Sequence, residues 1–422
     1  MVGRRLWTAL LALAFAAGAS AQPAFQTGAD RMAADGFAAW HGLRVGLVTN
    51  HTAVLTPSSE PGAAGHPAHL IDAVAAAEGV TLAALFGPEH GLRGTAEAGE
   101  EVADGVDRRT GARVVSLYGE QKRPPPASLD GLDVLAFDMQ DVGARFYTYL
   151  ATMGYAMQAA AEAGVPFWVL DRPNPLGRTA EGFVMEDAKR SFVGPYPIPQ
   201  RHGLTAGELA QLIHGEGLLP GLERLDLRVI AMTGYDADSG WPAGRPFVPT
   251  SPNIPDLATA RVYAGTALFE GTTASEGRGT PKPFHLLGAP WADADRLAKR
   301  LNSRRLPGVR FEPARFTPTS IPGVASSPKH EGAPLGGVEV VVTDAAAFRP
   351  VELGVHLLHA FYHAAPAAGR QRFFQADWLG KLAGTDRLRQ LIESGARPGA
   401  VVAAWQDEVA AFDARAARYR LY

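Results

Sequence analysis

Short apolar runs, each cut off by a polar cluster, recur along the first half of the chain. Residues 44–50, 80–86, 134–137, 166–170 and 227–232 are too short for helices and read as buried strands. Between them the apolar period lengthens. In 69–77, Leu70, Val74 and Ala77 fall at helical spacing and Gly79 ends the run. In 146–163, Phe146, Leu150, Met153 and Met157 form one stripe that Gly164 stops. Thr205-Ala206-Gly207-Glu208 is a capping box, hydroxyl and carboxylate placed to satisfy each other's backbone N–H, and it opens a helix over 206–214. Strands alternating with helices predict βαβ units and a parallel sheet, and right-handed crossovers put the strand ends on one rim. The proline-rich stretch 242–255 is read as a crossing between two lobes. Beyond it, 291–302, 353–363 and 401–418 carry helical stripes and 338–342 is a buried strand.

The strand-end loops are where the polar chemistry collects, as expected of open α/β sheets, which bind ligands outside the carboxyl ends of their strands. The first strand ends at Asn50-His51 and the second at Gly87-Pro88 with Glu89, His90 and Arg93. The third ends in Asp138, Gln140, Asp141 and Arg145, the fourth in Asp171, Arg172 and Asn174, with Glu181 ten residues on. A later Gly/Thr loop adds Glu270, Glu276 and Arg278. Carboxylates converging on a cleft suit acid–base work, because charge and burial separate their pKa values. Arginines among them suit a substrate that carries its own carboxylate. Tyr147 offers a face for stacking on a sugar.

Composition narrows the classes. At 422 residues with 46% hydrophobic content, the chain has room for two domains with real cores. A net charge of -3 gives no nucleic-acid footprint. The absence of cysteine removes disulfides, thiolate metal sites, a Cys nucleophile and a lipobox. Arg4-Arg5, the apolar run 6–17 and Ala19-Ser20-Ala21 read as a cleavable export leader over 1–21. No later segment is long and apolar enough to span a membrane. The mature chain is expected to start near Gln22, without a membrane anchor, in the periplasm or outside the cell. No dinucleotide fingerprint, Walker A sequence or Gly-x-Ser-x-Gly elbow is present. His66-Pro67-Ala68-His69 reads as solvated or helix-N-terminal histidines, and neither metal nor cofactor is expected.

Gly46-Leu-Val-Thr-Asn-His-Thr52, Phe86-Gly-Pro-Glu-His-Gly-Leu-Arg-Gly94, Phe137-Asp-Met-Gln-Asp-Val-Gly-Ala-Arg-Phe-Tyr147, Leu170-Asp-Arg-Pro-Asn-Pro-Leu-Gly177, Ser251-Pro-Asn-Ile-Pro255 and Ser275-Glu-Gly-Arg-Gly-Thr280 occur in this order. Together they resemble the exo-β-N-acetylmuramidase family, from about residue 46 to the last residue. The resemblance implies a Rossmann-like parallel-sheet catalytic domain over 22–250 and a smaller α/β C-terminal domain over 251–422 that contributes to the cleft. It implies cofactor-independent release of terminal N-acetylmuramic acid from the non-reducing end of peptidoglycan fragments. Glu89 in its Gly-Pro-Glu-His motif becomes the first candidate for the catalytic acid, with His90 beside it. Glu181, Glu276, Glu270 and Asp138 compete as second carboxylate. Asn50, His51, Arg93, Asp138, Gln140, Arg145, Tyr147, Asp171, Arg172, Asn174, Glu270 and Arg278 are candidate substrate contacts. Two other readings stay open on the residues: an exported sugar-binding protein without catalysis, and a metal-assisted hydrolase built on His51, His90 and Asp138.

Overall fold

The computed structural model describes residues 24–56, 68–89, 91–92 and 105–422. The expected leader, residues 57–67, His90 and Arg93, and most of the acidic stretch that follows them lie outside the described residues.

Seven strands form the larger sheet: β1 (Arg44–Thr49), β2 (Thr81–Gly87), β3 (Gly105–Val106), β4 (Arg113–Ser116), β5 (Val134–Asp138), β6 (Phe167–Leu170) and β7 (Leu227–Ile230). Their order is β3-β4-β2-β1-β5-β6-β7. Every pairing is parallel except the short β3 against β4. With β3 set aside, this is the doubly wound Rossmann order, and strand direction of growth reverses between β1 and β5. The strands are apolar throughout because helices cover both faces. Alternate residues divide between two cores. Val45, Leu47, Val134, Ala136, Trp168 and Leu170 pack on one side with Trp40 and Leu70. Val48, Leu135, Phe137, Phe167 and Val169 pack on the other, with the helices Thr148–Ala163 and Ala206–Gly215.

The second core does not stop at the domain. It continues through Tyr263, Phe269, Phe361 and Phe412 into the C-terminal part. There a three-stranded antiparallel sheet, β8 (Leu286–Ala289), β9 (Val309–Phe316) and β10 (Leu335–Val342), runs in the order β8-β10-β9. It packs with the helices Ala294–Asn302 and Pro350–Ala364. Only one of its strands was expected. β9 buries only Phe311 among otherwise exposed or half-buried residues and contains Pro313, so it lacks an apolar run. The single helix expected over 401–418 is two, Pro398–Ala403 and Gln406–Ala416, with Trp405 between them packed edge-on against Phe183.

Asp171, at the end of β6, gathers distant segments. Its fully buried carboxylate accepts hydrogen bonds from Thr205 Oγ1 (2.7 Å), Gly207 N (2.8 Å), Tyr422 Oη (2.8 Å) and its neighbour Arg172 N (3.0 Å). Its backbone carbonyl accepts from Gly28 N. Burial nevertheless pushes its pKa up to about 6, against those donors. A carboxyl raised on folding binds protons in the native state between about pH 4 and 6. Its ionisation therefore weakens the fold as pH rises through that window. Tyr422 Oη donates to the charged form and accepts from Met232 N at 2.8 Å. Tyr422→Phe is expected to cost about 1–3 kcal/mol at pH 7.5, as a charged acceptor and a buried N–H lose their partner. The deficit should shrink by pH 5, where Asp171 is protonated. Urea unfolding at the two pH values measures both.

Candidate active site

Glu89 sits where β2 gives out, past the Gly87-Pro88 turn. Its Oε2 accepts a hydrogen bond from Thr148 Oγ1 at 2.7 Å. Thr148 opens the sixteen-residue helix Thr148–Ala163, whose N-terminal end favours a negative group. The carboxylate lines a cavity of about 270 Å³ that draws on both domains. From the sheet side come Glu89, Tyr118, Tyr147 and Thr148, and from the crossing segment Ser251, Asn253 and Ile254. The C-terminal part supplies Tyr263, Glu270, Arg278, Phe284 and Trp378.

The inner wall is a chain of rings. Tyr147 meets Tyr149 edge-on at 4.7 Å and Tyr263 at 6.0 Å, and Tyr263 meets Phe284 at 4.8 Å. The Arg278 guanidinium lies 5.0 Å over the Phe284 ring. Tyr149 Oη donates to Thr250 O at 2.7 Å, which fixes the crossing segment against the helix. Burial, with Glu89 adding to it, holds all three tyrosines well above the usual phenol range. They stay neutral hydroxyls beside the carboxylate.

Glu270 pairs with Arg278 at 2.9 Å. Glu276 is buried behind them, 3.8 Å from Arg278 Nε and 3.0 Å from Lys329 Nζ. Burial opposes the Arg278 charge, yet Glu270 and Glu276 together raise its pKa. Lys329 also donates to the carbonyls of Phe269 (2.8 Å) and Thr272 (2.9 Å), so the acid-bearing loop is held from beneath. Among the described residues that line the cavity, Arg278 is the one cation.

The single rim expected from the strand ends divides in two. Glu89, Tyr147, Glu270 and Arg278 reach the cavity, and Glu276 supports it. The rest of the described candidates knit the fold. Asp138 is fully buried and both its oxygens are taken by Arg172, one through Nη2 at 2.8 Å and the other through Nε. Gln140 Nε2 donates to the carbonyls of Asp141 and Pro173. Asn50 Oδ1 accepts from the Thr52 hydroxyl and N–H, and His51 Nε2 lies 2.6 Å from Pro249 O. Asn174 closes its own turn through Leu176 N and reaches Leu204 O. Asp171 serves as described above. Glu181 pairs with Arg201 and accepts from Val351 N at 3.1 Å, at the start of the helix Pro350–Ala364. It lines a separate cavity of about 190 Å³ with Arg349, Glu352 and Trp405. The imagined metal set of His51, His90 and Asp138 thus has its carboxylate committed to Arg172, and His90 is outside the described residues.

Arg145 is also diverted. Its buried guanidinium donates to the carbonyls of Phe183 (2.8 Å), Ile198 (2.7 Å) and Leu382 (2.9 Å). Burial brings its pKa down to about 9. Sequence reasoning missed Thr148, Tyr118, Tyr263, Phe284, Lys329 and Trp378. Only Ser251 and Asn253 had a signal, in the Ser251-Pro-Asn-Ile-Pro255 motif.

Glu89 from a strand end and Glu270 from the second α/β unit line one pocket walled by rings and one arginine, an arrangement that suits a glycosidase. Family models described as exo-beta-N-acetylmuramidase NamZ, N-terminal and C-terminal, match residues 45–258 and 261–422. The chain belongs to the exo-β-N-acetylmuramidase family. It is 41% identical over 403 residues to the peptidoglycan beta-N-acetylmuramidase NamZ of Bacillus subtilis (strain 168), covering 95% of this chain and 92% of that protein. Two crystal structures of DUF1343 family proteins from Bacteroides fragilis NCTC 9343 share the fold, with TM-scores of 0.84 and 0.75. They are 33% and 31% identical, each covering 94% of this chain and 99% of its own.

Arg145→Met is expected to strip the carbonyls of Phe183 and Leu382 of the guanidinium donor and to leave Ile198 O with Met185 N alone. The cost should be about 3 kcal/mol, read by urea unfolding. Arg145→Lys should recover little of it, since an ammonium lacks the planar fork that reaches all three.

Proposed function

We propose that this chain removes terminal N-acetylmuramic acid from the non-reducing end of peptidoglycan fragments, with Glu89 as general acid. The observation that carries the reading is the presence of two carboxylates, Glu89 and Glu270, in the lining of one interdomain pocket. Kinship with the B. subtilis enzyme supports the choice of sugar and bond. Glu89 protonates the glycosidic oxygen as the bond to the anomeric carbon breaks, and the leaving sugar carries that proton away. Glu270 takes a proton from the water that adds to the anomeric carbon. One proton exchange then resets the pair. Arg278 has N–H groups beyond the one given to Glu270, and they suit the lactyl carboxylate that distinguishes muramic acid. A pocket closed inside by Tyr147, Tyr263 and Phe284 takes the end of a glycan rather than its middle. The leader-like residues 1–21 support action in the periplasm or outside the cell.

Glu89→Gln should lower turnover of a disaccharide with muramic acid at its non-reducing end by about 10²–10⁴-fold. The loss should be smaller on an aryl muramide, whose phenolate leaves without a proton. Near-normal turnover of the disaccharide removes Glu89 from the acid's role. Arg278→Lys keeps the charge but not the fork. It should raise KM for a muramic acid terminus about tenfold and narrow the preference over terminal N-acetylglucosamine. Steady-state kinetics on the paired disaccharides reads both.

A further inference from the structure

The pocket has two unlike ends. Tyr147, Tyr263, Phe284 and Ile254 at the inner end are buried, whereas Tyr118, Phe192, Val193 and Trp378 are half-buried. An exo-acting glycosidase seats the terminal sugar in the closed end, so the departing part of the substrate must lie at the open one. That mouth is aromatic and comes from three places in the chain. Tyr118 follows β4, Phe192 sits in the turn Ser191–Gly194, and Trp378 belongs to the helix Ala376–Ala383 of the C-terminal part. Tyr118 and Phe192 are tilted at 52° with centroids 6.5 Å apart. Tyr155 packs at 5.9 Å from Phe192, and the Lys122 ammonium lies 4.8 Å over that ring.

Two of the ring-bearing pieces share a support. Arg145 grips the carbonyls of Phe183 and Ile198, the two flanks of the excursion that carries Phe192. It also grips the carbonyl of Leu382, one turn after Trp378 on the same helix. Gly384 ends that helix at φ 80°, and a Cβ there would lie 2.6 Å from Arg145 Nη2. The backbone is thus built to let the guanidinium in. One buried side chain sets the height of both walls of the mouth.

We propose that Tyr118, Phe192 and Trp378 form the subsite for the sugar that leaves, and that Arg145 is its positioning residue. Flat rings suit the apolar face of a pyranose, and their half-exposure lets a released sugar depart. The proposal rests on the exo-glycosidase reading above and adds a ligand for the mouth: a β-linked N-acetylhexosamine.

The test compares two substrates that differ only beyond the scissile bond: the muramic acid–N-acetylglucosamine disaccharide and methyl β-muramide. For Phe192→Ala and Trp378→Ala, kcat/KM on the disaccharide should fall about tenfold further than on the methyl glycoside, mostly through KM. Inhibition by free N-acetylglucosamine should weaken in parallel. Phe192→Tyr and Trp378→Phe, which keep a ring and guard against a folding defect, should restore most of the difference. Equal losses on both substrates, or unchanged inhibition by N-acetylglucosamine, overturn the proposal. Failure of the unaltered protein to release muramic acid from either substrate would instead overturn the glycosidase reading, so the two failures are separable.

Discussion

The guanidinium of Arg145, buried and held through Nη1 and Nη2 by backbone carbonyls from both domains, is the constraint on which the rest depends. A charge in the interior is tolerated only with partners. Here the partners are the carbonyls of Phe183, Ile198 and Leu382, fixed points of the main chain rather than a mobile carboxylate. Breaking that set leaves donors and acceptors stranded together, so the domains are held at one separation. The shared hydrophobic core, running from Phe137 in the sheet to Phe412 near the end of the chain, reinforces the same relation. The proposed mechanism needs such rigidity, because paired acids drawn from both sides of a pocket act together only at a fixed distance.

The sheet was legible because its strands are buried on both faces and read as unbroken apolar runs between turn signals. The expected and observed ends of β1, β2, β5 and β6 differ by a residue or so. The strand order was less so: periodicity gives elements, and their lateral arrangement follows from crossovers that no local pattern encodes. The smaller sheet was poorly visible for a different reason. β9 presents one side to solvent and contains a proline, and β8 is four residues long. The split at Trp405 is not legible because a helical stripe continues across it; at the break Trp405 packs against Phe183, far off in the chain.

The site was half legible, and the division has a physical cause. Polar residues at strand ends serve two needs that look alike in sequence. One is to satisfy the backbone where the sheet stops, which Asn50, Gln140, Asp171 and Asn174 do through local and long-range hydrogen bonds. The other is to face a ligand. The side of the Rossmann sheet decides between them. Behind β1, β5 and β6 the Asp138–Arg172 pair and its neighbours lace the strand ends together. Beside β2 and β4 the C-terminal part stands off and leaves space, and there Glu89 and Tyr118 meet it. Which side the second domain would cover was not written in any strand.

The aromatic lining also shapes the surroundings of Glu89. Three tyrosines near it would be anions if their protons came off easily, and each would then repel the carboxylate. Burial keeps Tyr147, Tyr149 and Tyr263 protonated far above neutral pH. Their neutral rings lower the local dielectric without adding charge, while Thr148 supplies a hydroxyl that touches Glu89 directly. The compensating charges are kept together on the opposite wall, where Glu270, Glu276, Arg278 and Lys329 form two acids against two bases. Separation of a neutral wall bearing one acid from a charged wall bearing the arginine gives the pocket two chemically different ends of a bond to hold. That asymmetry, more than the number of acids in the sequence, is what a directional cleavage of a charged sugar from an uncharged one requires.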